Sequence, residues 1–192
     1  MKKFITSLFL ISTVFAFAQK AETKYPQDQE KKYELKLNTF NLIAFASLDV
    51  SYEKLVNENS SLGIALFYNF SDENSDIIFE KKFSLTPYYR WFFSESRFAR
   101  GFFVEGFGML NNFKDDYYLD NYYIDDYAYE STSQTAFALG VSVGGKFVTK
   151  TGFTTEIYLG IGRNLIKSKK DDNYFLNNDI VGRFGISIGY RF

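Results

Sequence analysis

The sequence predicts an all-β fold, an eight-stranded antiparallel up-and-down transmembrane β-barrel. Aromatic residues make up 20% of the 192 residues, and they fit the pleated surface of β-strands. Large apolar residues alternate with small or polar residues in one segment after another. The connections between these segments alternate between short and long, as expected when both ends of a membrane barrel lie in the same compartment.

The N-terminal residues 1–18 have the pattern of a secretory signal peptide. Two lysines precede an apolar stretch, and an A-x-A cleavage site ends at Ala18. The apolar stretch is too short to cross a bilayer of ~30 Å as a helix. Residues 19–32 are polar and lack periodicity, so we expect a flexible periplasmic tail. The outer-membrane barrel is then predicted over residues 33–192.

Eight alternating segments are each expected to form one strand of this barrel. They lie around residues 33–42, 48–53, 62–70, 83–93, 102–110, 137–147, 156–162 and 183–192. One face of each strand carries large apolar residues, which we expect to contact lipid. The other face mixes Gly, Ala and Ser with isolated charges, as expected for a narrow polar interior. The apolar face carries almost no charge along most strands. If it faced water, it would be a large exposed apolar surface that is prone to aggregation.

The expected connections follow the order of a membrane barrel. Short periplasmic turns are predicted at residues 57–60, 94–100 and 149–152, and long outer loops at residues 71–80, 112–133 and 167–179. The first outer loop, near Ala44, departs from this order because it is expected to be short. The final strand alternates up to the end of the chain, and we expect its apolar face to be the signal read by the barrel assembly machinery. This face consists of Phe184, Ile186, Ile188, Tyr190 and Phe192.

The chain contains no Cys and no His, which excludes several kinds of active site. Thiol nucleophiles, disulfides and thiolate metal sites are impossible, and so is a Ser-His-Asp triad. We therefore expect no enzymatic activity, cofactor or bound metal. An unusual carboxylate-based lipid hydrolase stays open as a less favoured class. No basic patch indicates nucleic acid as a partner.

Several short segments resemble a known protein family. They are Leu35-Lys36-Leu37-Asn38, Val50-Ser51-Tyr52-Glu53-Lys54, Phe103-Val104-Glu105-Gly106 and the C-terminal run from Arg183 to Phe192. In these segments the chain resembles a family of uncharacterised small outer-membrane barrels common in Bacteroidota, a DUF3575-like domain of unknown function. The resemblance implies an eight-stranded barrel similar in build to the membrane domain of OmpA or to OmpX. It implies no activity.

Charged residues on the inward face form the first candidate site. They are Lys36, Asp49, Glu53, Arg90, Glu105, Lys146, Glu156, Arg183 and Arg191. Inside a narrow barrel such charges must be paired or hydrated, because lone buried charges cost several kcal/mol. The favoured interpretation is a structural ion-pair network that plugs the lumen. The alternative is a narrow polar pathway with a charged constriction, which would make the protein a small passive channel for small polar solutes.

The longest predicted outer loop is the second candidate site. Its acidic and aromatic residues are Asp115, Asp116, Tyr117, Tyr118, Asp120, Tyr122, Tyr123, Asp125 and Asp126. Clustered carboxylates can bind calcium and exposed tyrosines can anchor a partner, although the spacing is not that of an EF-hand. The alternatives are a solvated acidic loop or strands that extend beyond the membrane. We therefore expect a non-enzymatic outer-membrane barrel with a structural or surface-recognition role, surrounded by outer-membrane lipid. Whether it has an extracellular ligand stays open at this point.

Overall fold

A computed structural model of the protein describes residues 31–70, 81–94, 97–119, 128–168 and 180–192. Its strands are β1 (Tyr33–Asn38), β2 (Ser47–Asn57), β3 (Ser60–Asn69), β4 (Lys81–Phe92), β5 (Gly101–Leu119), β6 (Ala128–Val148), β7 (Phe153–Lys167) and β8 (Ile180–Arg191). Within the described residues these eight strands form a closed barrel in which each strand pairs with its sequence neighbours. The prediction of an eight-stranded antiparallel up-and-down barrel is confirmed. The predicted signal peptide and most of the predicted tail lie outside the described residues.

The first and last strands close the barrel. β1 pairs with β8 in an antiparallel register that runs from Glu34 opposite Arg191 to Asn38 opposite Ser187. The Tyr33 amide donates to the carbonyl oxygen of Phe192 at 3.0 Å, and the Phe192 amide donates back to the Tyr33 carbonyl at 2.8 Å. Closure pairs the two edges that an open sheet would leave exposed.

The period-two pattern of the sequence corresponds to the two faces of the barrel wall. Along β3, Ile64 and Leu66 point outward and are 43% and 44% exposed. Between and beyond them, Ala65 and Phe67 point inward and are each 3% exposed. Successive side chains of a strand point to opposite faces. Once one side chain of β3 is known to point inward, the direction of every other side chain of the strand follows.

A short helix, α1 (Thr39–Phe45), follows β1 at the end of the barrel opposite the short turns. The predicted extent of the first strand, to Leu42, and the predicted short loop near Ala44 are therefore wrong. The Asn38 side chain accepts a hydrogen bond from the Asn41 amide at 3.2 Å, and this cap favours a helix over continued sheet pairing. No helix in the described ranges is long and apolar enough to cross a membrane.

The β5–β6 hairpin is longer than the sequence predicted. Residues 112–133 were expected to form a loop, but the paired backbone continues from Asn112 opposite Thr135 to Leu119 opposite Ala128. The loop prediction is therefore wrong for the paired residues, and the open alternative of extended strands describes them. Tyr and Thr in this segment favour a strand, and the acidic residues concealed that tendency in the sequence. Residues 120–127, like residues 71–80 and 169–179 of the other predicted outer loops, lie outside the described part of the chain.

The three predicted short turns connect strands at the opposite end of the barrel. The turn between β6 and β7 includes Gly152, whose φ of 102° is in the region that favours glycine. Gly101 begins β5 with a φ of 98°, and Ala99, two residues earlier, has a φ of 44°. The Ala99 amide donates to the carbonyl oxygen of Glu58 at 2.7 Å, which holds the β4–β5 turn against the β2–β3 turn.

Candidate functional site

The interior of the barrel contains a dense group of charged side chains. All the charged residues that the sequence assigned to the interior are 7% exposed or less. One further member, Glu34, is fully buried and was missed by the sequence analysis. It lies two residues before Lys36 on β1, so the alternation of the strand would have placed it on the same face.

Glu53 lies at the centre of this group. Its carboxylate accepts hydrogen bonds from Lys36, from Arg90 Nη1 at 2.9 Å and from Lys146 at 2.5 Å. The hydroxyl of Tyr88 also donates to it, at 3.2 Å. These contacts connect β1, β2, β4 and β6 across the lumen, because each of the five residues comes from one of these strands.

Glu156, on β7, joins the same centre from the other side. Arg90 Nη1 and Nη2 donate to its two carboxylate oxygens at 2.7 Å and 3.1 Å, which is the bidentate geometry of strong Arg–carboxylate pairs. Lys36 Nζ donates to the same carboxylate at 2.8 Å. Glu53 and Glu156 thus share two cations, and neither carboxylate depends on a single partner.

Glu34 and Arg191 form an ion pair at the turn end of the lumen. Arg191 Nε donates to the Glu34 carboxylate at 2.8 Å, and Lys146 Nζ donates to it at 2.8 Å. The Arg191 guanidinium also donates to the carbonyl oxygens of Phe98 at 3.0 Å and Ala99 at 2.9 Å. The β4–β5 turn is therefore tied to the charged interior, and Ala99 is fully buried.

Glu105 connects the centre to the helix end of the lumen. Its carboxylate accepts from Arg90 Nε at 2.7 Å, from Arg183 Nε at 2.7 Å and from the Ser142 hydroxyl at 2.8 Å. Like the other three glutamates, it accepts from at least two donors, which is the arrangement that makes burial of charge tolerable.

Asp49 accepts hydrogen bonds from two side-chain amides. Asn38 Nδ2 and Asn41 Nδ2 donate to its carboxylate at 2.9 Å and 2.8 Å. Asn38 also donates to the Tyr158 hydroxyl at 3.2 Å. The residue that caps α1 therefore also positions a lumen carboxylate, and no pattern in the sequence indicated this second contact.

Aromatic rings and glycines fill the remaining interior. The Arg90 guanidinium lies 4.6 Å from the ring centroid of Tyr88 and 4.3 Å from that of Phe103, which are cation–π distances. A methyl group at Gly63 would overlap the Tyr88 ring, and one at Gly189 would overlap the side chain of Lys36. The small residues of the inward face are thus required beside the bulky ones.

The chemistry available in this site is limited by its packing. At the helix end, a cavity of about 20 Å³ is lined by Asn41, Asp49, Lys81 and Arg183 among others, which is room for about one water molecule. Among the described residues, no group of acidic side chains has the arrangement needed to hold a metal ion. The arrangement is a buried polar core whose side-chain hydrogen bonds connect strands around the barrel.

The second predicted site lies on the extended hairpin. Asp115, Asp116, Tyr117 and Tyr118 belong to β5, where their backbone pairs with residues 129–132 of β6. The other members, Asp120, Tyr122, Tyr123, Asp125 and Asp126, lie outside the described residues. At the C-terminal end, the residues expected to act in assembly lie on the outer face of β8 or directly after this strand. Ile186, Ile188, Tyr190 and Phe192 are exposed, whereas Phe184 is half-buried and its ring packs against Phe40 and Phe45.

The fold and this interior define a closed eight-stranded β-barrel with a buried charge network in the described part of the chain. The family model described as "Protein of unknown function (DUF3575)" matches residues 7–184, and the chain belongs to this family. The resemblance inferred from the short segments is therefore confirmed. No curated protein matches the sequence. Among solved structures, the N-terminal β-barrel domain of Pseudomonas aeruginosa OprF is similar, with 12% identity and a TM-score of 0.49 over 84% of this chain and 98% of that one.

Proposed function

We propose that this protein is a non-enzymatic barrel of the outer membrane, closed inside by its charge network, that displays the β5–β6 hairpin as a contact surface. The observation that carries the proposal is the apolar outer wall. Every strand of the barrel presents exposed large apolar residues, such as Leu35 on β1, Ile64 on β3, Val141 on β6 and Leu159 on β7. Soluble monomers rarely expose apolar surface on this scale, whereas a lipid-facing barrel requires it.

The inverted polarity of the barrel supports the same proposal. Arg90, Glu53 and Glu105 are fully buried inside, while Val141 and Leu159 are 60% and 67% exposed outside. A barrel in water gains stability by turning such aliphatic side chains inward, since apolar burial drives folding. In lipid the apolar side chains already have an apolar environment, so the interior is left for polar groups.

The packing of the lumen favours a structural or display role over the alternative of a passive channel. Arg90 crosses the interior between Glu53, Glu105 and Glu156, and aromatic rings flank its guanidinium. A solute path would require several charge-assisted hydrogen bonds to separate together, and each removal of a partner from a buried charge is costly.

The hairpin is proposed as the contact surface because of its place in the fold. It leaves the barrel wall at the end opposite the short turns, which is the extracellular end if both termini are periplasmic. It carries the Asp and Tyr residues whose types suit recognition of a partner, a glycan or a divalent ion.

Heat modifiability and fractionation test the membrane location. The protein in outer-membrane fractions should migrate differently on a detergent gel before and after boiling, because a closed barrel resists the detergent until it is heated. A soluble periplasmic protein without such a shift would contradict the proposal.

Conductance in planar bilayers tests the closed lumen. The wild-type protein should give no steady unitary conductance. A steady conductance whose ion selectivity changes in the Glu156→Gln variant would instead establish the passive channel, because the lost carboxylate would then lie on the ion path.

A further inference from the structure

The outer wall has a gap in its apolar side chains near the turn end. Gly145 points outward on β6 between Val143 and Phe147, and it lies opposite Phe102 on β5 and Ile157 on β7. A methyl group built at Gly145 would approach only the Phe147 ring, at 3.9 Å. The surrounding atoms would therefore leave room for a larger residue at position 145. Because glycine has no side chain, the wall has a depression at this position.

This depression is a groove of about 550 Å³ with apolar walls. The volume is within the range of sites that hold small organic ligands. Its large outward-pointing apolar residues are all more than half exposed, and they are Phe93, Phe102, Val143, Phe147, Ile157 and Leu159. The groove runs along the outer surface, so a ligand in it would lie against the wall of the barrel and outside the charged lumen.

A second cavity, of about 230 Å³, adjoins the groove on the side of the β4–β5 turn. Both cavities are lined by Arg97 and Phe147, and Arg100 lines the second one. Among the described residues lining either cavity, the charged ones are Arg97, Arg100 and Lys146. The Lys146 ammonium turns inward to Glu34 and Glu53, so the two arginines supply the positive charge at the mouth of the groove.

We infer that this part of the wall binds one anionic phospholipid, with its phosphate at Arg97 and Arg100 and an acyl chain along the groove. The guanidinium fork matches phosphate oxygens in charge and geometry. The arginines next to the apolar groove match the arrangement of a phospholipid, in which the phosphate is next to the acyl chains. The inference rests on the proposed membrane location, which also places the turn end on the periplasmic side and therefore in the phospholipid layer.

Native mass spectrometry of the refolded full chain tests the charge part of this inference. The protein in detergent is offered equal amounts of dioleoylphosphatidylglycerol and dioleoylphosphatidylcholine. We expect one retained phosphatidylglycerol per protein. The Arg97→Gln, Arg100→Gln double variant should retain it at least about fivefold less, because a basic residue at a lipid surface is worth about 1 kcal/mol. The control is the Lys32→Gln, Lys54→Gln double variant, which removes the same amount of positive charge. Both lysines are exposed and lie at the same end of the barrel, on the side of β1 and β2. This variant should retain the lipid.

A glycine pair tests the groove itself. The Gly145→Phe variant fills the depression and should lose the bound phosphatidylglycerol. Its control is Gly106→Phe, since Gly106 also points outward, lies opposite Tyr89 and Val141 away from the groove, and has no atom within 4 Å of an added methyl group. A heat shift on a detergent gel verifies that each variant still forms the barrel.

Three results would overturn the inference. They are equal retention of the two lipids by the wild-type protein, equal losses in the test and control variants, and a protein dimer that Gly145→Phe abolishes. The dimer would assign the groove to a second copy of the chain. None of these results affects the proposed membrane location, which fails only if the wild-type protein shows no heat shift and is soluble in the periplasm.

Discussion

Glu53 illustrates how one side chain stabilises the interior. Lys36, Arg90 and Lys146 all donate to its carboxylate, and each comes from a different strand. Burying a charge is unfavourable unless its partners compensate for the lost hydration. This carboxylate offsets part of the desolvation cost of three buried cations at once. The contact set also favours one register of the strands, since a slip by one residue would turn these side chains toward the outer face.

The Glu53→Gln variant should therefore be strongly destabilised. Glutamine removes the negative charge but keeps the size of the side chain, so the buried cations lose part of their compensation. We expect the free energy of unfolding to fall by about 3 kcal/mol. Urea unfolding in lipid vesicles measures this change through the fluorescence of Trp91, the single tryptophan of the chain, which is 62% exposed on the outer wall.

The matched control for this prediction is Glu58→Gln in the exposed β2–β3 turn. A substitution at such a surface position changes stability by about 0.5 kcal/mol or less. An equal, small effect of the two substitutions would show that the central carboxylate contributes no net stability.

Individual residues of the site could be predicted only as far as the alternation of each strand was recognised. Arg183 and Arg191 were placed inside because the last strand alternates clearly. Glu34 was missed because the first strand is short and begins at the predicted tail, although Lys36 two positions later was recognised. The pairing of these charges could not be predicted, because it depends on barrel shear and side-chain reach across the lumen.

At the scale of elements, the sequence was most informative for strands and least informative for the segments that connect them. β7 and β8 were recognised because large apolar residues occupy every second position from Ile157 to Ile161 and from Phe184 to Phe192. The helix α1 was missed because its apolar residues continue those of β1, and the deciding contact is one amide cap from Asn38. For residues 112–133 a loop was predicted and extended strands stayed an alternative, because an acidic composition is typical of a loop, while backbone pairing overrides composition there.

The outer part of the β5–β6 hairpin should be dispensable for folding. In the described part of the chain, residues 114–119 pair only with residues 128–133, whereas β4 and β7 pair with the hairpin closer to the barrel. Replacing residues 114–133 by Asn-Gly, a favoured two-residue turn, should leave the closed barrel intact. The heat-dependent mobility on a detergent gel should be preserved. Its loss would mean that the hairpin is part of the folding unit.

At the scale of the whole molecule, the two surfaces of the wall follow from a single rule of alternation. The sequence therefore predicted the topology and the inward and outward faces together. The inward set packs closely because an eight-stranded barrel has room inside for little more than its own side chains. The groove at Gly145 was not predicted, because it depends on which strands lie side by side and on the position of the β4–β5 turn.

The central claim is that the apolar outer wall contacts lipid, and spin-label accessibility tests it most directly. The chain has no Cys, so Ile161→Cys and Lys150→Cys each introduce a single labelling site. Ile161 lies on the outer wall in β7 and is 58% exposed, and Lys150 lies in the β6–β7 turn. In lipid vesicles, the label at position 161 should be relaxed by oxygen and protected from a water-soluble nickel complex, with the opposite result at position 150. Strong relaxation by the nickel complex at both positions would contradict the claim, because it would place the outer wall in water.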